Sequence, residues 1–433
     1  MELILICLSF SLIAGLLMSR LAKRVGLPAV TAYLIAGLLL GPFCLGALGL
    51  PGLGFNSLSQ VAGFNIVSQA ALGFIAFAIG DEFRLEQLRS MGSRAIIVGI
   101  AQAVVTTFIV DAALIALHFV NPALISLPSA ITLGAIAAAT APAATLMVVR
   151  QYKADGPLTH LLLMVVAIDD AVGLVLFSAS FGIASAMESG VVSLTTVLVE
   201  PIIEILLSLI LGALAGVLLH LLEQFFHSRS KRRSLSIAFV LLTVGLSMLE
   251  FQVGGIRIGF SLLLVCMMAG TVFCNICHTS QEIMERVDHW TAPLNVLFFV
   301  LSGAELNLGV LSHPTVLLVG VIYILFRSLG KCAGAYASCA ATGCDSKIKR
   351  YLGITLLPQA GVALGMALTA QALQDGEMVR NVVLFSVLVY ELVGPTLTKR
   401  SLIAAGEIDP AGKTSARTVN VPKKPVSLQG KRN

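Results

Sequence analysis

The sequence predicts an all-α polytopic membrane protein of about thirteen transmembrane helices, built from two inverted six-helix repeats that each contain a broken helix. Three observations support this fold class. Hydrophobic residues occupy 57% of the 433 positions and charged residues 12%, with a mean hydropathy of +0.94, which is far from the average of soluble domains. Apolar windows of membrane-spanning length follow one another along the chain, and one motif occurs in two of them.

The predicted spans are the apolar windows long enough to cross about 30 Å of hydrocarbon as helices. They lie at residues 3–19, 28–46, 62–80, 94–118, 128–149, 157–180, 196–222, 235–250, 258–274, 290–309, 315–341, 351–373 and 379–398.

Lysine and arginine orient these spans, because positive charge is retained on the cytoplasmic side of a membrane. Of the 28 lysines and arginines, 24 lie in turns after odd-numbered spans or in the C-terminal segment. We therefore expect a multi-pass protein of the cell (inner) membrane, with its N-terminus on the outer side and its C-terminus in the cytoplasm. The basic residues form short clusters between apolar runs, so the lipid bilayer surface explains the net charge of +5 better than nucleic acid does.

An internal repeat is indicated by the motif Gly-x-Glu-[Phe/Leu]-x-Leu-x-x-Leu, which starts at Gly80 in span 3 and at Gly303 in span 10. The copies are seven spans apart and therefore cross in opposite directions, so spans 1–6 match spans 8–13. Span 5 is interrupted around Pro142, and its mate, span 12, around Pro358 and Gly361. Proline removes a backbone donor, so both helices are predicted to break near the middle of the membrane.

Ionisable residues within the spans predict a functional site. The stretch "MVVAIDDAVGLVLFS" contains Asp169 and Asp170, and span 11 contains Arg327 and Lys331 on one helix face. A charged Asp at the bilayer centre costs roughly 2.5 to 3.5 kcal/mol. Adjacent residues point about 100° apart on a helix, so one Asp can pair with a cation while the other faces a cavity. A structural ion pair explains one carboxylate and leaves the second unexplained.

The carboxylate that faces the cavity can bind either H⁺ or a small hard cation such as Na⁺, and this competition is sufficient for exchange. Thr140 carries the hydroxyl nearest to the first break and, together with the aspartate that faces the cavity, is predicted to ligate Na⁺. Freed carbonyls at the two breaks would complete the oxygen shell. Gln359, at the second break, either lines the site or satisfies backbone groups.

Five motifs follow one another along the chain: "LPAVTAYLIAGLLLGP" in span 2, "TAPAA" in span 5, "AIDDAVGL" in span 6, "GKCAG" in span 11 and "LLPQAGVAL" in span 12. In this order they resemble the bacterial monovalent cation/proton antiporters of the second cation/proton antiporter family, in particular the sodium/proton exchangers of the Asp-Asp type. The resemblance covers residues 1 to about 400.

The resemblance implies the sodium/proton antiporter fold for residues 1–400, with a dimer-forming scaffold (spans 1–3 and 8–10) and a core (spans 4–6 and 11–13) that moves as an elevator. It also implies that Asp170 binds the ion and proton, and that Asp169 forms a salt bridge with Lys331 that breaks or forms as ions and protons exchange at this pair. The composition of residues 401–433 predicts a disordered cytoplasmic tail.

The implied activity is secondary antiport of a monovalent cation, Na⁺ first and Li⁺ or K⁺ as possibilities, against H⁺, with no enzymatic function. The Asp-Asp-Lys set resembles members that exchange two protons per sodium. In other exchangers of this kind an arginine neutralises the aspartate pair and exchange is electroneutral. Because this chain also has Arg327, the resemblance leaves the stoichiometry open. The alternatives are a K⁺/H⁺ antiporter and a sodium-coupled solute symporter of similar fold.

Other polar residues support less specific interpretations. Glu82 and Glu305, in the repeated motif, are predicted to be structural, and Glu391 is a candidate partner for Arg327. The segment "CNICH", Cys274–His278, has the spacing of a c-type haem attachment site, but the predicted topology places it in the cytoplasm. No cofactor is expected.

Overall fold

The computed structural model describes residues 2–25, 27–49, 54–81, 83, 85–189, 200–226, 228–249, 251–253, 256–306, 308–309 and 313–408. Its first helices are α1 (Glu2–Arg24), α2 (Ala29–Leu40), α3 (Leu58–Ala62), α4 (Asn65–Gly80), α5 (Leu85–Val120), α6 (Leu127–Ile136), α7 (Pro142–Tyr152) and α8 (Pro157–Ser189). The remaining helices are α9 (Glu200–Glu223), α10 (Arg229–Ser247), α11 (Leu262–Ile276), α12 (Ser280–Glu305), α13 (Pro314–Ala341), α14 (Ser346–Thr355), α15 (Gly361–Thr369) and α16 (Gly376–Ala405). A short antiparallel hairpin, β1 (Phe251–Val253) and β2 (Ile256–Ile258), precedes α11.

Each predicted span overlaps one of these helices or a pair of them, so the all-α fold class is confirmed. By length and composition, seven helical segments of the described chain could each cross a membrane. The other predicted spans fall on helices that are shorter, interrupted or more polar, such as α4, α11 and the pairs α6–α7 and α14–α15. Hydropathy alone therefore finds fewer spans than the thirteen predicted, because several of the helices at those positions are short, interrupted or polar.

The two predicted helix breaks are present at matching positions of the repeats. Residues 137–141 separate α6 from α7, and residues 356–360 separate α14 from α15. Pro142 is the first residue of α7. At this position the N–H of any residue would lack a partner within the helix, and proline has no N–H. The proline therefore begins α7 without loss of a hydrogen bond within this helix.

The inverted relation of the two repeats is visible in two close helix pairs, α2 with α12 and α4 with α11. A Cβ at Gly37 would lie 1.9 Å from a backbone oxygen of α12, and one at Gly303 would lie 2.1 Å from a backbone oxygen of α2. In the second pair the corresponding distances are 2.3 Å at Gly80 and 2.1 Å at Gly270. Glycine allows these backbones to approach closely. Gly80 and Gly303 are also the glycines of the repeated motif.

A bundle of helices surrounds the helix breaks. Helix α5 packs along α13 and against α6 and α8, while α16 packs against α13 and α14. The side chains of α8 between Leu161 and Val166 are almost completely buried, so the middle of this helix is enclosed by protein. The region that follows in α8 contains the two aspartates.

The predicted C-terminal boundary requires a correction. Helix α16 continues to Ala405 and the chain is described to Ile408, so residues 401–408 are not part of a disordered tail. Ser401 and Leu402 are buried, which explains why the helix extends beyond the apolar window. Residues 409–433 lie outside the described residues, as does Glu82 of the repeated motif.

Candidate ion-binding site

The two breaks contact each other through main-chain atoms. The N–H of Ala141 donates to the carbonyl of Pro358 at 2.8 Å, and the Thr140 hydroxyl is 3.3 Å from the carbonyl of Leu356. Hydrogen bonds between backbone groups satisfy atoms that the interrupted helices leave free. The breaks of the two repeats therefore form one crossing in the protein interior.

Two cationic side chains from α13 bind the carboxyl end of α6. Arg327 donates from Nε to the carbonyl of Ala137 at 3.0 Å and from Nη2 to that of Ala139 at 2.7 Å. Lys331 Nζ donates to the intervening carbonyl of Ala138 at 2.5 Å. These carbonyls form the negative end of a helix, where positive charge is favourable. Pro142 has no N–H to offer Ala138, four residues earlier, so this carbonyl is available to the lysine.

Arg327 also joins the second break. Its Nη1 donates to the carbonyl of Leu357 at 2.7 Å, and its guanidinium lies 4.5 Å from the ring centroid of Tyr390. The arginine is fully buried. In the described residues no ion pair within 4 Å joins it to Glu391, and the hydrogen bonds of its guanidinium go to carbonyl groups. The candidate pair of Arg327 with Glu391 is therefore not formed, and the arginine holds the crossing together.

Asp169 lies at the centre of a buried polar cluster. Its Oδ2 is 2.7 Å from Lys331 Nζ, so the ion pair predicted between these residues is present. The Thr140 hydroxyl donates to the same oxygen and Gln102 Nε2 donates to Oδ1, both at 2.5 Å. All four side chains are at most 1% exposed. A buried ion pair needs such additional hydrogen bonds to offset its desolvation.

Gln102 of α5 is a site residue that the sequence analysis missed. Its amide donates to Asp169 and its Oε1 accepts from Lys331 Nζ at 3.0 Å, so it contacts both members of the ion pair. In the sequence it is a lone amide in an apolar span, and such residues commonly serve in helix packing. The only available signal was its polarity within a span; its partners are 67 and 229 residues away.

Asp170 points away from this cluster, into a narrow cleft between helices. The cleft is lined by apolar residues of α4 and α11, together with Pro142 and Ala167. Asp170 is 4% exposed, and within the described residues its Oδ1 has no hydrogen-bond partner. Adjacent aspartates thus have different environments, as their angular separation on a helix predicts. One carboxylate is fully bonded and the other has a free oxygen in the cleft that α7 and α8 form with α4 and α11.

The other predicted residues differ in how close they come to Asp170. The Thr140 hydroxyl donates to Asp169, and the joint ligation of Na⁺ by Thr140 and Asp170 stays a prediction. Gln359 is fully bonded: its Nε2 donates to the carbonyl of Ile136 at 3.1 Å and its Oε1 accepts from Ser386 at 2.8 Å. The second of its two predicted roles, to satisfy polar groups at the break, fits these contacts.

Arg327→Lys is expected to destabilise the protein although it preserves the charge. A lysine has one ammonium group and cannot reach the carbonyls of both breaks, and each buried carbonyl left without a donor costs about 1 to 3 kcal/mol. The thermal midpoint in detergent should fall clearly below that of the wild type. Arg20→Lys, at an exposed arginine, is the matched control, and equal midpoints for both variants would contradict this role of Arg327.

The comparison with known families gives the identity of the chain. A family model described as "Sodium/hydrogen exchanger, transmembrane" matches residues 8–404. The chain belongs to the sodium/hydrogen exchanger family. The match spans both repeats and both breaks, so the helices that meet at the crossing all belong to this exchanger domain.

Solved structures agree with the exchanger fold. The chain is similar to the sodium proton antiporter MjNhaP1 of Methanocaldococcus jannaschii, at pH 8, with a TM-score of 0.69 and 18% identity over 94% of this chain and 99% of the other. A second structure of MjNhaP1 gives a TM-score of 0.70 and 18% identity, with coverages of 93% and 98%. At this identity the similarity establishes the fold, and this exchanger is accordingly a multi-pass membrane protein.

One curated relative matches part of the exchanger. Over 100 residues the chain is 30% identical to "K(+) efflux antiporter 5" of Arabidopsis thaliana. The matched stretch is 23% of this chain and 15% of the relative's length. The chain therefore spans only a small part of that relative.

Proposed function

We propose that Asp170 is the group at which this cation/proton antiporter binds either a proton or a monovalent cation. The observation that carries the proposal is the position of Asp170, buried in the cleft with one oxygen that has no partner among the described residues. A carboxylate with a free oxygen can accept a proton or ligate a small hard cation, and it cannot do both. The cation is the transported substrate.

Asp169 has a different role in this proposal. Its oxygens accept from Lys331, Thr140 and Gln102, so in this arrangement it offers no vacant ligand position. The pair Asp169–Lys331 then positions the centre of α8 against the carboxyl end of α6. The Asp169–Lys331 salt bridge breaks and re-forms as ions and protons exchange at the neighbouring carboxylate.

Transport proceeds by elevator-type movement of the core against the scaffold. The cleft beside Asp170 separates α7 and α8 of the core from α4 and α11 of the scaffold, and its scaffold side is formed by Ala76, Ile79, Leu263, Leu264 and Met267. Apolar side chains make no directional bonds across this boundary, so a sliding motion breaks few hydrogen bonds. A homodimer formed through the scaffold would provide the fixed frame in the cell membrane, with the C-terminus in the cytoplasm.

Sodium is the proposed cation and potassium is the second candidate. The family supports sodium, while the match to a potassium efflux antiporter over 100 residues favours the alternative. Because Arg327 bonds carbonyl groups, it leaves the aspartate pair with Lys331 as its cation. We therefore propose electrogenic exchange of two protons per cation.

The test is exchange by the purified protein in proteoliposomes with Na⁺, Li⁺, K⁺ or choline at several membrane potentials. We expect Na⁺ and Li⁺ to drive proton movement, K⁺ and choline to have little effect, and the rate to depend on the potential. A response to K⁺ alone would favour the alternative. A rate that does not change with potential would contradict the electrogenic stoichiometry.

A further inference from the structure

The N-terminus of α8 is capped by a residue from the far end of the chain. Pro157 has no N–H and the N–H of His160 donates to Gly156, so Leu158 and Thr159 carry the free N–H groups of the first turn. Both donate to the carboxylate of Glu407, to Oε1 and Oε2 respectively, each at 2.7 Å. The Thr159 hydroxyl donates to Oε2 at 2.7 Å as well.

The backbone around this contact fits the position of Glu407. Gly156 has φ 157°, and a Cβ there would lie 2.5 Å from the Glu407 carboxyl carbon, so a side chain would displace the cap. Gly406 ends α16 in the left-handed conformation with φ 86° and turns the chain toward α8. The Asp155 N–H donates to the Glu407 carbonyl at 3.2 Å. Several independent contacts therefore hold the carboxylate in place.

The same end of α16 is bound to the start of α14. Lys347, in the first turn of α14, donates from Nζ to the carbonyl of Ala405 at 2.8 Å. Residues 405–407 thus join α8, which carries Asp169 and Asp170, to α14, which leads into the second break. A helix rises 1.5 Å per residue, so the cap lies about 16 Å along α8 from Asp170.

We propose that Glu407 is a positioning residue for ion exchange, because its contacts fix the axial position of α8 relative to α14. A carboxylate at a helix N-terminus satisfies the free N–H groups and complements the helix dipole. Without it, α8 can shift along its axis and the distances between Asp169, Asp170 and the helix crossing change. The inference rests on the proposed exchange activity and adds a residue outside the membrane-spanning segments.

The test is cation/proton exchange by Glu407→Gln in proteoliposomes, with apparent KM, maximal rate and pH profile measured for Na⁺. A glutamine has one acceptor oxygen and turns an NH₂ group toward the other N–H. We expect the apparent KM to rise about fivefold, the factor that corresponds to one capping interaction, with a smaller change in maximal rate. Glu407→Asp, which keeps both oxygens, should restore part of the affinity, and Thr159→Val should shift KM less in the same direction.

Glu285→Gln is the matched control, because this exposed glutamate lies at the start of α12 in the scaffold. Unchanged KM, maximal rate and pH profile in Glu407→Gln, with faster amide exchange at residues 158–159, would overturn the positioning role. An equal change in Glu285→Gln would overturn it too. If Glu407→Gln does not fold, a wild-type KM in both Glu407→Asp and Thr159→Val would overturn the positioning role instead. Absence of exchange in the wild type would instead refute the proposed function.

Discussion

Asp170→Asn is expected to abolish cation-driven proton movement while the protein still folds. Asparagine preserves the shape of the side chain but neither carries a charge nor binds a proton at neutral pH. The free Oδ1 of Asp170 has no hydrogen-bond partner in the described chain, so the substitution removes a buried charged group without breaking a bond at that atom. We expect the rate in everted vesicles to fall about 100-fold or more, to the background, with a thermal midpoint equal to or above that of the wild type.

The control for this variant is Asp375→Asn, at an exposed aspartate before α16 whose side chain makes no capping bond. It should exchange cations as the wild type does. Everted vesicles should be assayed with Na⁺, Li⁺ and K⁺ in turn, because a change in ion preference could otherwise be mistaken for loss. Normal exchange of Na⁺ and K⁺ by Asp170→Asn would refute the assignment of the binding carboxylate.

Lys331→Met is expected to destabilise the protein and to change the voltage dependence of any remaining exchange. Methionine fills a similar volume but leaves Asp169 without its cation, and loss of one partner of a buried pair costs about 3 to 5 kcal/mol. The site also becomes one charge more negative. One elementary charge moved through 100 mV corresponds to about 2.3 kcal/mol. If the proposed elevator movement carries this charge, the rate of exchange should respond differently to membrane potential.

The double variant Asp169→Asn with Lys331→Met separates these effects. It removes both charges, so its thermal midpoint should lie above that of Lys331→Met alone. Lys231→Ala, which removes one exposed charge at the start of α10, controls for net charge. A midpoint and a voltage dependence equal to the wild type in Lys331→Met would show that the ion pair has no role in stability or coupling.

The sequence was sufficient to predict the features that depend on local chemistry. Apolar windows located the spans, since membrane insertion depends on length and hydropathy. Pro142 and Pro358 located the breaks because they lie at matching positions of the two repeats and proline removes a backbone donor. A proline alone is not sufficient, since Pro293 and Pro395 lie inside the continuous helices α12 and α16. The adjacent aspartates were identifiable because ionisable residues in a span are costly, and the angular separation of neighbours predicted that they would have different environments.

Contacts between distant segments could not be predicted in the same way. The role of Arg327 depends on which carbonyls the breaks leave free and where α13 places them. Gln102 and Glu407 reach partners more than 60 residues away, and nothing in the sequence near them indicates those partners. The sequence also placed the end of the membrane domain too early, because burial of Ser401 and Leu402 is a property of tertiary packing.

The hydrogen bond between Ala141 and Pro358, together with the glycine contacts of α2 with α12 and of α4 with α11, has an evolutionary consequence. These joints are made by main-chain atoms, which every amino acid carries. Substitutions can therefore accumulate around them while the two repeats stay joined, provided that the glycines and prolines are retained. Such joints are compatible with the same fold in MjNhaP1 at 18% identity, and they leave strict sequence requirements to those glycines and prolines and to the few side chains that handle charge.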